Sequence, residues 1–195
     1  MPASAWSSSS AGAVRRALRA LAAAAALAAV SVSAAGAKVF YTRSEALALA
    51  FPEADRIEDE TLLLGDDQAE RVEALAKGEL ESRIVRIYRG FRGADLLGYA
   101  FIDVHNVRTL PEAFLVVLTP AGAVASLRVL AFHEPLEYMP TERWYDQFEN
   151  ATLERALRLG RDVHGIVGAT LSARATTQGV RRALALYEVV VKNGR

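Results

Sequence analysis

The chain contains no cysteine among its 195 residues. That absence excludes disulfide bonds, iron–sulfur ligation, thiol catalysis and c-type haem attachment. An excess of one charge is also missing, because 23 basic residues face 23 acidic ones. No long basic stripe follows the N-terminal segment, so nucleic acid is not expected as a partner. If the protein carries out redox chemistry, its redox centre must be an organic cofactor.

Acidic residues are absent from the N-terminal segment, and the first is Glu45. A basic patch at residues 15–19 leads into an apolar run, and Ala35-Gly36-Ala37 fits the cleavage site of a signal peptide. The uncharged stretch is also just long enough to span a bilayer, so an uncleaved anchor is the alternative. We therefore expect residues 1–37 to be a signal peptide or membrane anchor helix. The remaining chain would be exported, either to the periplasm or held at the inner membrane facing it.

Hydrophobic periodicity in residues 38–195 predicts a single α+β domain, with a mainly antiparallel sheet flanked by helices. The acidic run Glu58-Asp59-Glu60 is interpreted as solvated surface, and Pro120-Ala121-Gly122 predicts the turn of a β-hairpin. The expected strands are residues 83–89, 96–104, 113–119 and 124–132. The expected helices are residues 45–51 behind a capping box of Thr42 and Glu45, a segment capped by Asp66 or Asp67 and ending at Lys77, a short helix or turn at 140–148, and residues 153–159 and 172–191.

The junction between a glycine-containing loop and the final helix is the segment best suited to chemistry. Gly168 and Ala169 remove side-chain bulk just before Thr170, so a large group can approach the backbone there. The start of a helix offers unpaired N–H groups and the positive end of the helix dipole, which favour a phosphate. Ser172 and Arg174 would add a hydrogen bond and a positive charge. The alternative is that Thr170 is an ordinary N-cap.

The segment Gly168-Ala169-Thr170-Leu171-Ser172-Ala173-Arg174-Ala175, followed by an amphipathic helix, resembles the FMN-binding domain family. That family includes one peripheral component of the sodium-pumping NADH:quinone reductase and one component of the Rnf ion-translocating complex. Its members carry a [ST]-G-A-T motif, and a flavin transferase esterifies FMN onto the motif threonine with FAD as donor. The resemblance implies that Thr170 is the attachment site and that 168–172 surround the cofactor.

A second match to the same family lies upstream of that motif. His133-Glu134-Pro135 follows a strand, and Trp144, Gln147 and Phe148 resemble the family's W-x-x-Q-F segment. Glu134 is then a candidate to hydrogen-bond the flavin, or else to cap the turn before the proline. Trp144 is a candidate to stack on the isoalloxazine ring, or else a core residue. Tyr138 is a candidate of lower rank.

Two positions depart from the family pattern. Val167 replaces the usual serine or threonine, and His164 stands where an acidic residue is common. Non-covalent binding of FMN is therefore an alternative to the ester. His164 would stabilise an anionic reduced flavin if it is protonated, and an exposed loop histidine is the other interpretation. The chain's three histidines lack the spacing of a metal motif, so we expect no metal site.

The resemblance implies an exported FMN-binding electron carrier that works with a membrane redox complex or other electron carriers. Two alternatives remain open. One is an FMN-dependent periplasmic reductase of a small acceptor. The other is a cofactor-free periplasmic binding or assembly factor, in which Gly168-Ala169-Thr170 only begins a helix. Because the sequence shows no substrate site or hydride-donor site, an electron carrier is favoured over a stand-alone enzyme.

Overall fold

Six antiparallel strands form one open sheet in a computed structural model that describes residues 38–194. In chain order the strands are β1 (Lys38–Val39), β2 (Arg56–Leu63), β3 (Ile84–Arg92), β4 (Asp95–Asn106), β5 (Pro111–Leu118) and β6 (Val124–Phe132). They are arranged in the order β1-β6-β5-β4-β3-β2. The predicted α+β class is confirmed. The predicted signal peptide or anchor at residues 1–37 lies outside the described residues.

Within residues 38–194, four α-helices flank the sheet. They are α1 (Arg43–Ala50), α2 (Asp66–Ala76), the short α3 (Glu142–Tyr145) and α4 (Thr170–Leu186), which continues as a π-helical turn at Tyr187–Lys192. Two 3-10 turns, Leu136–Tyr138 and Asp146–Phe148, flank α3. Between residues 38 and 194, every helix is too short or too polar to cross a membrane.

Both faces of the sheet are covered, and β5 shows this most clearly. Phe114 and Val116 pack into a core with α2 and α4, whereas Leu115 and Val117 pack on the other face with α1. Alternate side chains of a strand point to opposite faces, so a strand buried on both sides has a nearly continuous apolar sequence. This burial explains the uninterrupted apolar run of β5.

The sheet has two strands more than the sequence predicted. The larger omission is β2, whose acidic run Glu58-Asp59-Glu60 is exposed, as predicted, but belongs to an edge strand. Asp59 and Glu60 pair with arginines of β3, for example Glu60 with Arg89 at 2.6 Å, whereas Glu58 pairs with Arg56 of β2 itself. A charged edge strand lacks the apolar alternation that identifies strands, and its charges protect the edge from pairing with other chains. The two-residue β1 is too short to leave a pattern.

Two helix expectations were wrong in detail. Residues 153–159 form turns rather than a helix, and Leu157 there has a positive φ of 47°. The side chain of Arg155 donates to the backbone carbonyls of Gln147 and Asp162, both at 3.0 Å, so it supports these turns. The cap of α2 is Gly65 rather than an aspartate. By contrast, the predicted capping box of Thr42 and Glu45 is present, and the predicted hairpin joins β5 to β6.

The long helix α4 is fixed to α2 by a buried side chain. Arg181 donates from Nε to the carbonyl oxygen of Ala76 at 2.8 Å and from its guanidinium to that of Leu75 at 3.1 Å. The last carbonyls of a helix have no partner within the helix, so these bonds satisfy the C-terminus of α2. They hold α4 across one face of the sheet and thereby set the position of its first residue, Thr170.

Candidate functional site

A pocket of about 260 Å³ lies at the N-terminus of α4, and we call it the Thr170 pocket. It brings together residues that the sequence singled out in two distant parts of the chain. Its wall is made by Val107, Arg108, Glu134, Tyr138, Gly168, Ala169, Thr170, Leu171 and Ser172. The three segments meet because the turn after β4 and the segment after β6 lie beside the start of α4.

Thr170 is the first residue of α4, and its side chain is exposed. The N-cap is Ala169, which has no side-chain hydrogen-bond acceptor, so the first turn of α4 is not capped by a side chain. The hydroxyl of Thr170 reaches only the carbonyl oxygen of Ile166, at 3.4 Å. The interpretation of Thr170 as an ordinary N-cap is therefore wrong. An exposed hydroxyl, held only by this long hydrogen bond, stands beside backbone N–H groups that lack an intrahelical acceptor.

The two small residues before Thr170 have different roles. Gly168 adopts a φ of +83°, a left-handed conformation that glycine reaches at little cost. A Cβ built on Gly168 would meet no atom within 4 Å, so the backbone there borders open space on the pocket side. Ala169 is instead 4% exposed and packs inward. The loop thus exposes backbone without a side chain at Gly168 and packs a small side chain into the protein at Ala169.

Ser172 lies on the inner side of the same helical turn. It lines the Thr170 pocket but is only 1% exposed, and its hydroxyl has no hydrogen-bond partner within the described chain. Buried hydroxyls are rarely left unpaired in proteins, because an unmade hydrogen bond costs about 1–3 kcal/mol. A polar group without a protein partner therefore lies buried just beneath the floor of the pocket. Leu171, by contrast, is 44% exposed at the mouth.

Glu134 organises the opposite wall. Its Oε1 accepts the backbone N–H of Thr109 at 2.9 Å and that of Leu110 at 3.0 Å. These backbone donors hold the pKa of the Glu134 carboxyl below its usual range. Glu134 therefore stabilises the turn at residues 107–110 rather than its own turn before Pro135. Its role in the pocket is to position that turn.

Arg108 lies in the turn that Glu134 holds, and sequence reasoning missed it. It is exposed, lines the Thr170 pocket and forms no ion pair with any residue that the structure describes. A single basic residue between two strands carries no signal by itself. Only the antiparallel pairing of β4 with β5, together with the packing of α4, brings it beside Thr170. It gives the pocket a free positive charge.

Trp144 and His164 are in contact with each other, but neither lines the Thr170 pocket. The indole N–H of Trp144 donates to the backbone carbonyl of His164 at 2.8 Å. Gln147 accepts the backbone N–H of His164 at 2.7 Å through its side-chain oxygen. Trp144 and Gln147, which have the W-x-x-Q spacing, thus hydrogen-bond to both backbone groups of His164. It anchors the loop that precedes Gly168, and the His164 side chain remains exposed.

The structure assigns different surroundings to two other candidates. Arg174 is exposed and lines a separate pocket with Lys77 and Arg181, away from Thr170. Trp144 packs edge-on against Tyr145 and Phe148, with ring centroids 5.5 and 5.3 Å apart. The aromatic side chain on the wall of the Thr170 pocket is Tyr138.

A second cavity, of about 360 Å³, lies between β6 and the region around α3. Its wall includes Tyr41, Arg128, Glu142, Asp146 and Glu149. It contains neither Thr170 nor any residue of the loop before it. We therefore consider the smaller pocket at α4 the better candidate, because it combines an exposed hydroxyl, a helix start and a cation without an ion-pair partner in residues 38–194.

A buried charged cluster lies behind the Thr170 pocket, on the α4 face of the sheet. Arg182 holds Asp103 with two hydrogen bonds, at 2.8 and 2.7 Å, and Asp103 contacts Nδ1 of His105 at 2.6 Å. Nε2 of His105 lies 3.3 Å from Glu112, which is completely buried. Burial by itself would lower the pKa of His105, but the two carboxylates outweigh it and raise that pKa to about 9.

The same balance applies to Asp103. Burial alone would raise the pKa of the Asp103 carboxyl, but His105 and Arg182 hold it below its usual range. At neutral pH His105 is therefore protonated, and it lies between the carboxyl groups of Asp103 and Glu112.

Comparison with known proteins adds no assignment, since no protein-family model and no curated protein sequence matches the chain.

Proposed function

We propose that this chain is an exported electron-transfer flavoprotein that carries FMN on Thr170 through a phosphoester bond. The observation that supports it is the exposed hydroxyl of Thr170 at the start of a 17-residue helix whose first turn has no side-chain cap. The same pocket contains Arg108, which has no ion-pair partner within residues 38–194. The resemblance of 168–175 to the FMN-binding domain family points to the same residue. When bound, the flavin supplies the redox chemistry, and the protein supplies position and electrostatics.

The pocket has the groups that a phosphate requires. The free N–H groups and dipole of α4 favour an anion at Thr170. Arg108 adds a guanidinium, which binds phosphate oxygens strongly. The carboxylate of Glu134 lies on the same wall, but one of its oxygens is occupied by two backbone N–H donors. We therefore assign phosphate recognition to Arg108 and the first turn of α4, and not to Arg174.

The size of the pocket suits partial enclosure of a flavin. A volume of about 260 Å³ lies just below the range of roughly 300–1,000 Å³ typical of ligand pockets. Part of the ligand would therefore extend over the mouth. Exposed side chains with large apolar surfaces line the pocket at Leu171 and Tyr138, and the exposed Val167 directly precedes the lining residue Gly168. A ring system that rests on them keeps one edge accessible, as transfer of electrons to a partner requires.

Attachment needs an enzyme partner, since nothing in the pocket activates the hydroxyl. In the proposed maturation a flavin transferase uses FAD as donor. The Thr170 oxygen attacks the flavin-side phosphorus, the pyrophosphate bond breaks, AMP leaves, and the hydroxyl proton is lost to a base of the transferase. The exposed position of Thr170 at a loop–helix junction leaves it accessible to such an enzyme. The mature protein would then exchange electrons with a membrane redox complex or another carrier at the periplasmic side.

The attachment is tested by flavin fluorescence in denaturing gels after co-expression with a flavin transferase. The wild type is expected to fluoresce, Thr170→Ser to retain fluorescence, and Thr170→Ala to lose it. Fluorescence that persists in Thr170→Ala would exclude this residue as the attachment site. Native protein that binds FMN but releases it on denaturation would support non-covalent binding instead. Colourless native protein would favour the cofactor-free alternative.

A matched pair of arginine variants tests the assignment of the phosphate site. Arg108→Met and Arg174→Met each remove one exposed positive charge and keep a long side chain. Loss of a charged contact to phosphate is expected to weaken FMN binding about tenfold or more in Arg108→Met, measured by FMN titration of the Thr170→Ala background. Arg174→Met should bind as its parent does. An equal loss in both variants would indicate a general charge effect and contradict the assignment.

A further inference from the structure

The buried side-chain polar atoms that lack a hydrogen-bond partner are confined to one cluster, as far as residues 38–194 are concerned. They share a location between α3, α4 and the ends of β4 and β5. They are Nε2 of His105, both carboxylate oxygens of Glu112, and the hydroxyls of Tyr145, Ser172 and Thr176. Buried polar atoms are normally satisfied by protein or by ordered water, so their concentration in one place makes it a suitable site for bound water.

These atoms connect the Thr170 pocket with the buried charged cluster. Ser172 lines the pocket, and Thr176 is four residues further along α4, on the same face of the helix. The Thr176 hydroxyl lies beside that of Tyr145, and the Glu112 carboxylate is near enough to add to the rise that burial causes in the pKa of Tyr145. Glu112 then faces Nε2 of His105 at 3.3 Å. From the pocket inward, the side chains therefore follow one another in the order Ser172, Thr176 with Tyr145, Glu112 and His105.

We propose that this string of side chains, bridged by ordered water, carries a proton between the Glu112–His105 pair and the ligand of the Thr170 pocket. The inference rests on the proposed function, because it assigns the source of the proton that a flavin takes up on reduction. The charged groups around His105 are Asp103 on β4, Glu112 on β5 and Arg182 on α4, and the titratable Tyr145 on α3 lies near Glu112. Glu112 is the one that lies between His105 and the pocket.

Electrons and protons balance in this transfer. When bound, the flavin would supply the redox chemistry, and its reduction by two electrons from a reduced carrier would be accompanied by uptake of one proton. Nε2 of the His105 imidazolium would release that proton to Glu112, and the hydroxyls and water would pass it on to Ser172 and the pocket. His105 would then be neutral, and Glu112 would again be a carboxylate. Reoxidation by a carrier would return the proton to His105. The string would thus act as a reversible proton store beside the pocket.

Two variants interrupt the string without removing a large side chain. Glu112→Gln keeps the shape of the buried side chain but cannot bind and release the proton. Thr176→Val is close to isosteric and lacks the hydroxyl, and Thr176→Ser, which keeps the hydroxyl, is its matched control. Thr177→Ala is a second control, because the Thr177 hydroxyl is buried on the same helix but donates to the Ala173 carbonyl at 2.6 Å, outside the string.

The first measurement uses flavin-free protein, so it does not depend on the cofactor. An NMR titration of the His105 ring nitrogens should give a pKa near 9 in the wild type. In Glu112→Gln the midpoint should fall, because one of the two carboxylates that hold the proton is gone. A wild-type His105 that titrates near the ordinary value for histidine, about 6.5, would overturn the proposal.

The second measurement uses flavin-loaded protein. The rate of reduction by dithionite at neutral pH is expected to fall on the order of a hundredfold in Glu112→Gln and Thr176→Val, with a larger solvent isotope effect. Thr176→Ser and Thr177→Ala should stay close to the wild type. Unchanged rates in the first two variants, with flavin bound normally, would overturn the proton path and leave the proposed function intact. A wild-type protein that binds no flavin would overturn both.

Discussion

Trp144 donates its indole N–H to the backbone carbonyl of His164, and the 2.8 Å bond joins the segment after β6 to the loop before α4. Gln147, one turn further, accepts the N–H of the same residue. Both backbone groups of His164 are therefore held by side chains from one short helical segment. Since His164 precedes Gly168 by four residues, these two hydrogen bonds help to fix the position of the loop and of Thr170 after it.

Trp144→Phe should loosen that loop and keep most of the aromatic packing against Tyr145 and Phe148. Loss of one hydrogen bond at a partly exposed site is expected to cost about 1 kcal/mol of unfolding free energy. We expect a larger effect on function, seen as a reduced fraction of chains that carry covalent flavin after co-expression with the transferase. Thermal denaturation and in-gel fluorescence measure the two effects separately. Tyr41→Phe, which removes a hydroxyl in the other cavity and touches neither the loop anchor nor the Thr170 pocket, is the control.

If Trp144 instead stacks on the flavin, Trp144→Phe would change the absorbance spectrum of the bound flavin and leave its incorporation intact. That result would contradict the role of Trp144 as a loop anchor. The W-x-x-Q-F spacing thus shows what sequence alone can give. It identified Trp144 as a candidate for the site, but only the tertiary structure shows that its polar atom meets a backbone carbonyl 20 residues away.

Other parts of the site were predictable to different degrees. The helix start at Thr170 and the bare backbone of Gly168 follow from local chemistry, so the sequence indicated both. Asp103 and His105 share a strand face with Phe101, which places them inward by alternation. Their neutralisation by Arg182 depends on how α4 crosses the sheet, and no local pattern encodes that contact. Arg108 escaped prediction for the same reason.

The raised pKa of His105 predicts a loss of stability at alkaline pH. A group with a raised pKa in the folded state stabilises the fold fully below its unfolded pKa, about 6.5, and that contribution disappears as the pH rises through the folded value. For His105 the window therefore runs from about 6.5 to about 9. The unfolding free energy should fall by at most about 3 kcal/mol across it, measured by urea denaturation at a series of pH values.

Glu112→Gln is the matched variant for this measurement. With one carboxylate removed, the folded pKa of His105 moves towards its unfolded value, so the decline with pH should be smaller and should end at a lower pH. His133, whose Nδ1 contacts the carbonyl oxygen of Pro111 at 3.0 Å, lies outside the cluster. Replacing it with glutamine should leave the pH profile unchanged. A wild-type profile that stays flat between pH 6.5 and 9 would show that His105 is not held as the charged partner of both carboxylates.

Gly179 tests whether α4 is seated on the sheet as closely as the proton string requires. A Cβ at this position would overlap the ring of Phe114 and lie 2.6 Å from the carboxylate Oδ2 of Asp103. Phe114 is 1% exposed and has no room to move aside. Alanine would gain about 1 kcal/mol of helix propensity, but overpacking costs roughly 1–3 kcal/mol and disturbs the contact between Asp103 and Arg182 as well.

We therefore expect Gly179→Ala to lower the unfolding free energy by about 1–2 kcal/mol, since the overpacking cost exceeds the helix gain. Gly165→Ala is the control, because a Cβ there meets nothing within 4 Å and its φ is not in the left-handed region. Its stability should change by no more than about 0.5 kcal/mol. Urea denaturation compares the two. If Gly179→Ala is stabilised, helix propensity outweighs contact with the sheet. The helix would then stand further from Asp103, and the path from Ser172 to Glu112 would lose its geometric basis.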